Sequence, residues 1–125
     1  MFKLYKCLKC GQVVAKVKAT GCTPVCCGEP MMELNPNTED AAMEKHVPVI
    51  EANGNVVTVK VGSAPHPMVE DHYISPIFLE TSEGLRVKEL KPGDAPEATF
   101  VLAEGETVIA AYEYCNKHNL WKAEA

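Results

Sequence analysis

The sequence predicts an all-β protein in two parts: a short cysteine-held amino-terminal segment, then a small antiparallel sandwich or barrel. Two observations carry the prediction. Short runs rich in β-branched and aromatic residues recur about every 8 to 12 residues, bounded by glycine, proline or asparagine. Five of the six cysteines lie before residue 28 and the sixth stands alone at Cys115, so the chemistry of the chain is uneven along its length.

Residues 1–36 form the first part. Phe2 to Lys6 reads as a short strand leading into Cys7-Leu8-Lys9-Cys10-Gly11, and Gln12 to Lys18 as a second strand. Gly21 and Thr23-Pro24 signal a turn before Cys26-Cys27-Gly28. A segment below roughly 40 residues rarely buries enough apolar surface to fold unaided, so it requires a staple. Asn35-Pro36-Asn37 is the linker candidate, and Thr38 to Met43 has the composition of one helical turn capped by Thr38.

Residues 37–125 form the second part and read as β from Val47 onward. Val47–Glu51 and Val56–Val61 flank Asn53-Gly54, a strong hairpin signal. Further strands are expected near 72–80, 85–90, 97–103 and 107–114, with turns at Ser82-Glu83-Gly84, Lys91-Pro92-Gly93-Asp94 and Glu104-Gly105-Glu106.

The 125 residues carry a formal charge of −5, the wrong sign for a general nucleic-acid binder. No apolar run approaches the roughly 20 residues that span a bilayer, and the first residues lack the apolar core of a secretory signal. A cytoplasmic location is the expectation. In that reducing compartment six cysteines are poor candidates for structural disulfides.

Cys7 and Cys10 have the spacing of a C-x-x-C knuckle, with Gly11 where the chain must turn. Adjacent Cys26 and Cys27 reach one metal only through a turn, because neighbouring side chains on an extended chain point apart. Four thiolates suit zinc or a single iron, and spare buried thiols are the plainer alternative. Cys22 is left over, a small core or surface thiol. The second pattern is made of imidazole. All four histidines sit in distinctive settings: Glu44-Lys45-His46-Val47-Pro48, His66-Pro67-Met68, His72-Tyr73-Ile74 and Cys115-Asn116-Lys117-His118. Any one alone is more often a surface or core residue than a ligand. Together, four imidazoles and a thiolate exceed a closed tetrahedral zinc site and suit an iron with one position open.

These residues, in this order, resemble the superoxide reductases. With Cys7, Cys10, Cys26 and Cys27 added, nearly the whole chain is similar to the desulfoferrodoxins, the two-iron form, including Lys91 to Glu97 and the ending Trp121 to Ala125. The resemblance implies a desulforedoxin-like four-cysteine iron domain followed by an immunoglobulin-like sandwich. It implies that His46, His66, His72 and His118 bind iron in a plane with Cys115 as the axial ligand, and that superoxide meets the sixth position and leaves as hydrogen peroxide. Glu44 would approach that position in the oxidised state and Lys45 would sit beside it. Both are otherwise ordinary surface charges. A rubredoxin-like electron donor and a homodimer are implied as well. Two features depart from the family pattern: Asn119 stands where glycine is usual, and Cys22 has no counterpart.

Two other readings compete. One is an electron-transfer protein whose histidine site is not catalytic, and the other a zinc-stapled sandwich serving as a binding module. A visible spectrum separates zinc, which is colourless, from ferric thiolate.

Overall fold

The structure is a computed structural model that describes residues 2–37 and 46–125. Among these residues every regular element is a strand, and no helix is long and apolar enough to cross a membrane. The chain divides into two compact units, Met1–Asn35 and Pro36–Ala125.

In the first unit β1 (Leu4–Lys6) pairs antiparallel with β2 (Val13–Ala15) on one side. On the other side it pairs with β5 (Met32–Glu33). A separate two-stranded ribbon joins β3 (Val25–Cys26) to β4 (Glu29–Pro30). Its small core packs Tyr5, Cys7 and Met31, with Val14 and Cys26 against them. A core in which two of five members are cysteines agrees with the need for a staple.

Among the described residues the second unit is a sandwich of seven strands. The hairpin of β6 (Pro48–Asn53) and β7 (Val56–Val61) joins β10 (Glu97–Val101) in a three-stranded sheet. The facing sheet runs β12-β11-β8-β9, from β8 (Ile74–Thr81), β9 (Gly84–Lys88), β11 (Val108–Cys115) and β12 (Asn119–Glu124). This is the immunoglobulin-like arrangement of a hairpin-plus-one sheet over a four-stranded sheet. Alternation sets which face packs: Val57, Val59 and Val61 are buried on β7, and Ala98 and Phe100 on β10. They meet Ile74, Ile77, Leu79 and Ala111 from the other sheet. Burying each large branched or aromatic side chain contributes roughly 1.5–3 kcal/mol.

Three local features differ from the sequence expectation. The β6–β7 turn is Gly54-Asn55, with Asn53 still paired to Val56. Gly54 lies at φ 62° in the first turn position, where a two-residue hairpin of this type demands positive φ. The tail from Asn119 to Glu124 is a full strand, paired along β11 from Ala110 to Cys115. Asn37, read as linker, bridges Trp121 in parallel: its amide reaches Leu120 O at 3.0 Å and its carbonyl accepts Lys122 N at 2.8 Å. The turn expected over Thr38–Met43 lies outside the described residues.

The strand order brings three connections to one end of the sandwich. These are the approach to β6, the β7–β8 loop and the β11–β12 turn. Every histidine lies in them, and Cys115 ends β11 beside the last.

Candidate metal centres

Among the described residues, two groups of side chains have ligand atoms within 4.8 Å of one another: Cys7, Cys10, Cys26 and Cys27 in the first unit, and His46, His66, His72, Cys115 and His118 in the second.

The sulfur group is built by two tight turns. After Cys7 the chain reverses so that Gly11 N reaches Cys7 O at 3.0 Å, Gly11 taking φ 81°. The same turn aims Cys10 N at the Cys7 sulfur, at 3.4 Å. Cys27 itself is left-handed at φ 53° and Gly28 follows at φ 76°, so the turn that adjacent cysteines require sits at the second of them. Cys10 Sγ lies 3.6 Å from Cys26 Sγ, and Cys26 Sγ lies 3.9 Å from Cys27 Sγ. All six cysteines are free thiols. A disulfide would need a separation of about 2.05 Å. Metal–sulfur bonds of about 2.3 Å at tetrahedral angles put sulfurs about 3.8 Å apart, between the two observed values. Sharing protons splits the thiols. The backbone amide of Cys10 pulls Cys7 down to about 6, and hydrogen bonding with Cys7 and Cys10 pushes Cys26 up to about 12. Cys22 is exposed and outside the group; its carbonyl accepts Lys16 Nζ at 2.6 Å.

The histidine group forms a closed ring of imidazoles. Centroids are 4.8 Å apart for His46–His66, 4.7 Å for His66–His72, 5.1 Å for His72–His118 and 4.6 Å for His118–His46. Each neighbouring pair is edge-to-face, with interplanar angles from 66° to 82°. His46 Nε2 and His118 Nδ1 are 2.9 Å apart. Right-angled bonds of about 2.1 Å would separate two ligand nitrogens by about 3.0 Å, tetrahedral ones by about 3.4 Å. Cys115 Sγ lies 3.6 Å from the same His118 nitrogen. Cys115 is fully buried at the end of β11 and His118 is exposed, so the group runs from the sandwich interior to its surface.

Local structure fixes which nitrogen faces inward. His66 Nδ1 donates to Pro67 O at 2.7 Å, which leaves its Nε2 lone pair free. Among the described residues, buried His66 Nε2 and His72 Nε2 have no hydrogen-bond partner. Two buried imidazole nitrogens without protein partners, aimed into a ring that holds a thiol, fit a cation better than any hydrogen-bonding scheme within that group. Burial pushes His66 down to about 4 and lowers His72 also, so both are neutral ligands at neutral pH. Burial pushes the Cys115 thiol up, opposed by the amides of Lys117 and His118.

The loops are tied to one another. His72 and Val69 exchange backbone hydrogen bonds at 3.0 Å, and Met68 O accepts Gly93 N at 2.8 Å. Asn116 Oδ1 accepts Tyr73 N at 3.0 Å while its Nδ2 donates to Asp71 O at 3.0 Å. That side chain fastens the Cys115 turn to the His72 loop. Asn119 closes the turn at φ 66°, the left-handed region that asparagine tolerates better than most residues.

Comparison with known proteins agrees with this geometry. The desulfoferrodoxin family model matches residues 38–124, and the model of the desulfoferrodoxin N-terminal domain matches residues 2–34. The chain belongs to the desulfoferrodoxin family. It is 50% identical to a desulfoferrodoxin of Nitratidesulfovibrio vulgaris over 125 residues, covering 99% of this chain and 97% of that one. The superoxide reductase of Treponema pallidum superposes with a TM-score of 0.87 at 34% identity, covering 99% and 98% of the two chains. A superoxide reductase of Giardia intestinalis, a 1Fe-SOR, matches 66% of this chain and 98% of its own length, with a TM-score of 0.56 and 33% identity. The four-cysteine and the four-histidine, one-cysteine groups match the two iron sites of the desulfoferrodoxins.

Each expected metal-site residue therefore lies in one of the two groups. Glu44 and Lys45 lie outside the described residues. Two site neighbours escaped the sequence reading, Asn116 as a loop fastener and Trp121. Trp121 Nε1 donates to His118 O at 2.9 Å and its ring stacks on His46 at 4.8 Å.

Proposed function

We propose that this chain is a superoxide reductase: it converts superoxide, with one electron and two protons, to hydrogen peroxide at an iron held by His46, His66, His72, His118 and Cys115. The observation that carries the reading is the closed ring of four imidazoles against a single buried sulfur. Ferrous iron in that set supplies the electron.

The residues have separate roles. The imidazoles, neutral through burial in two cases, hold the cation without cancelling its charge, so an anionic substrate is still attracted. Cys115 brings the one negative, electron-donating ligand, which favours giving an electron outward. Its burial keeps water and oxidants from the sulfur. Lys45, next to His46 in the sequence, would supply local positive charge for the anion, and Glu44 would offer a carboxylate to the oxidised iron; sequence adjacency supports both roles.

Cys7, Cys10, Cys26 and Cys27 hold the second iron, and the sulfur separations support this ligand set. The electron comes from outside the chain, from a small donor of the rubredoxin type. The reducing cytoplasm is the proposed location, since the cysteines cluster as candidate metal ligands, and the protein acts as a homodimer, as the family resemblance implies.

Replacing Cys115 with alanine tests the reading. Superoxide reduction by the reduced, iron-loaded variant should fall by at least about a hundredfold, the scale at which removing an electrostatic partner of the reacting group acts. Activity within a few-fold of the parent would mean that the thiolate has no part in the reaction.

A further inference from the structure

We propose that Trp121 is a positioning residue of the histidine–thiolate centre: one indole fixes the His46 ring and the Cys115–His118 turn together. The inference rests on reading this group as an iron site.

Two contacts made by one side chain carry it. The indole stacks on His46, centroids 4.8 Å apart and planes 21° from parallel. Its N–H donates to His118 O at 2.9 Å, the backbone of the next imidazole in the ring. His46 and His118 are the two neighbours whose nitrogens approach to 2.9 Å. The same side chain thus touches both members of the closest ligand pair, which come from segments 72 residues apart. The backbone at Trp121 lies beside Asn37 in a parallel bridge whose hydrogen bonds are made by its strand neighbours, Leu120 O and Lys122 N, so a change of the Trp121 side chain leaves that bridge in place.

The physical reason for an indole follows. His46 precedes β6, which begins at Pro48, so strand pairing does not set its ring plane. Stacking on a flat surface does. An imidazole whose nitrogen is bound to a cation becomes electron-poor, and the electron-rich indole face then attracts it more strongly. The stack therefore favours the metal-loaded arrangement. Holding both ligands in place beforehand lowers the ordering cost of binding. Partners that orient metal ligands in this way typically change metal affinity by about 10- to 100-fold when removed.

The test compares Trp121→Leu, which removes both contacts, with Trp121→Phe, which keeps a ring to stack and deletes the N–H. Iron is loaded into the full chain. Its loss from the histidine centre to a chelator, the visible band of the oxidised centre and thermal unfolding are then recorded. Trp121→Leu should lose that iron about tenfold faster or more. Its thiolate-to-iron band should shift, while the sulfur-site spectrum stays as in the parent. Trp121→Phe should fall between parent and Trp121→Leu. Parent-like iron retention and band position in both variants would overturn the proposal. So would faster loss that merely follows a lower unfolding temperature with the band unshifted, since that describes a structural residue. If Trp121→Leu does not fold, Trp121→Phe decides alone: an unchanged band with parent-like retention overturns the proposal, and faster loss with a shifted band upholds it. A parent that loads iron only at the sulfur site would overturn the iron-site reading itself, whereas a fully loaded parent with indistinguishable variants overturns the role of Trp121 alone.

Discussion

Lys45 precedes His46 in a chain whose net charge is −5, so an anion approaching the site meets a repulsive protein unless charge near the site offsets it. Replacing Lys45 with isoleucine should slow the second-order reaction with superoxide, by about tenfold at low salt if steering is typical. The parent rate should fall as ionic strength rises, and the variant should show a flatter dependence, because salt screens what the lysine supplies. Rates measured across ionic strength check this, and equal rates at low salt would assign the attraction to the metal and backbone amides. The ligand residues themselves were legible in the sequence because imidazole and thiolate have few better uses and because each sits in a tight, turn-rich setting. Asn116 and Trp121 were not legible as site residues. Their roles exist only through contacts to Asp71, Tyr73 and His46, made after the strands have aligned. Asn119 could be judged in advance, since its fitness for a left-handed turn is a property of asparagine alone.

Among the elements, the link between the two sheets at the end of β10 depends on Glu106. Its carboxylate accepts Ala103 N at 2.8 Å and Arg86 Nη2 at 2.7 Å, and it accepts the Thr81 hydroxyl as well. Arg86 also donates to Val101 O at 2.8 Å. The turn, β8 and β9 are thereby joined through one buried side chain. The Thr81 hydroxyl first, then the Ala103 amide, hold the Glu106 carboxyl below its usual value of 4.5. A group whose folded value is depressed contributes stability above its unfolded value, and that stability is lost as pH falls through the folded one. Glu106→Gln should therefore lower the unfolding temperature at pH 7 by several degrees, and the gap to the parent should narrow as pH drops below 4.5. A gap independent of pH would show that the charge of Glu106 is not what holds the turn. Strand existence was legible from β-rich runs bounded by turn residues, such as Val56 to Val61. The placement of the β6–β7 turn was not, because both Asn53-Gly54 and Gly54-Asn55 satisfy the local chemistry and register decides between them. β12 was hidden because Asn119 to Glu124 has no clean alternation; its pairing is set by β11 on one side and Asn37 on the other.

At the scale of the molecule, two units carry two metal groups of different softness. Each unit's ligands come from that unit alone. Cys10→Ser should therefore abolish the visible spectrum of the sulfur site and leave the histidine site's spectrum and its reaction with superoxide unchanged. Loss of both spectra in a folded variant would contradict independence. The division was legible because cysteine is confined early and imidazole late, and because a segment of that size needs a staple. That all five ligands of the second group meet at one end of the sandwich was not legible, since loop convergence follows from which strands pair. The central claim is that the protein reduces superoxide without dismutating it. The most direct test mixes the fully reduced two-iron protein with a smaller, known amount of superoxide, then measures hydrogen peroxide and dioxygen together. The account predicts one peroxide for each superoxide consumed and no dioxygen released. Half that yield of peroxide with dioxygen evolved, or superoxide left to decay as it does without the protein, would contradict it.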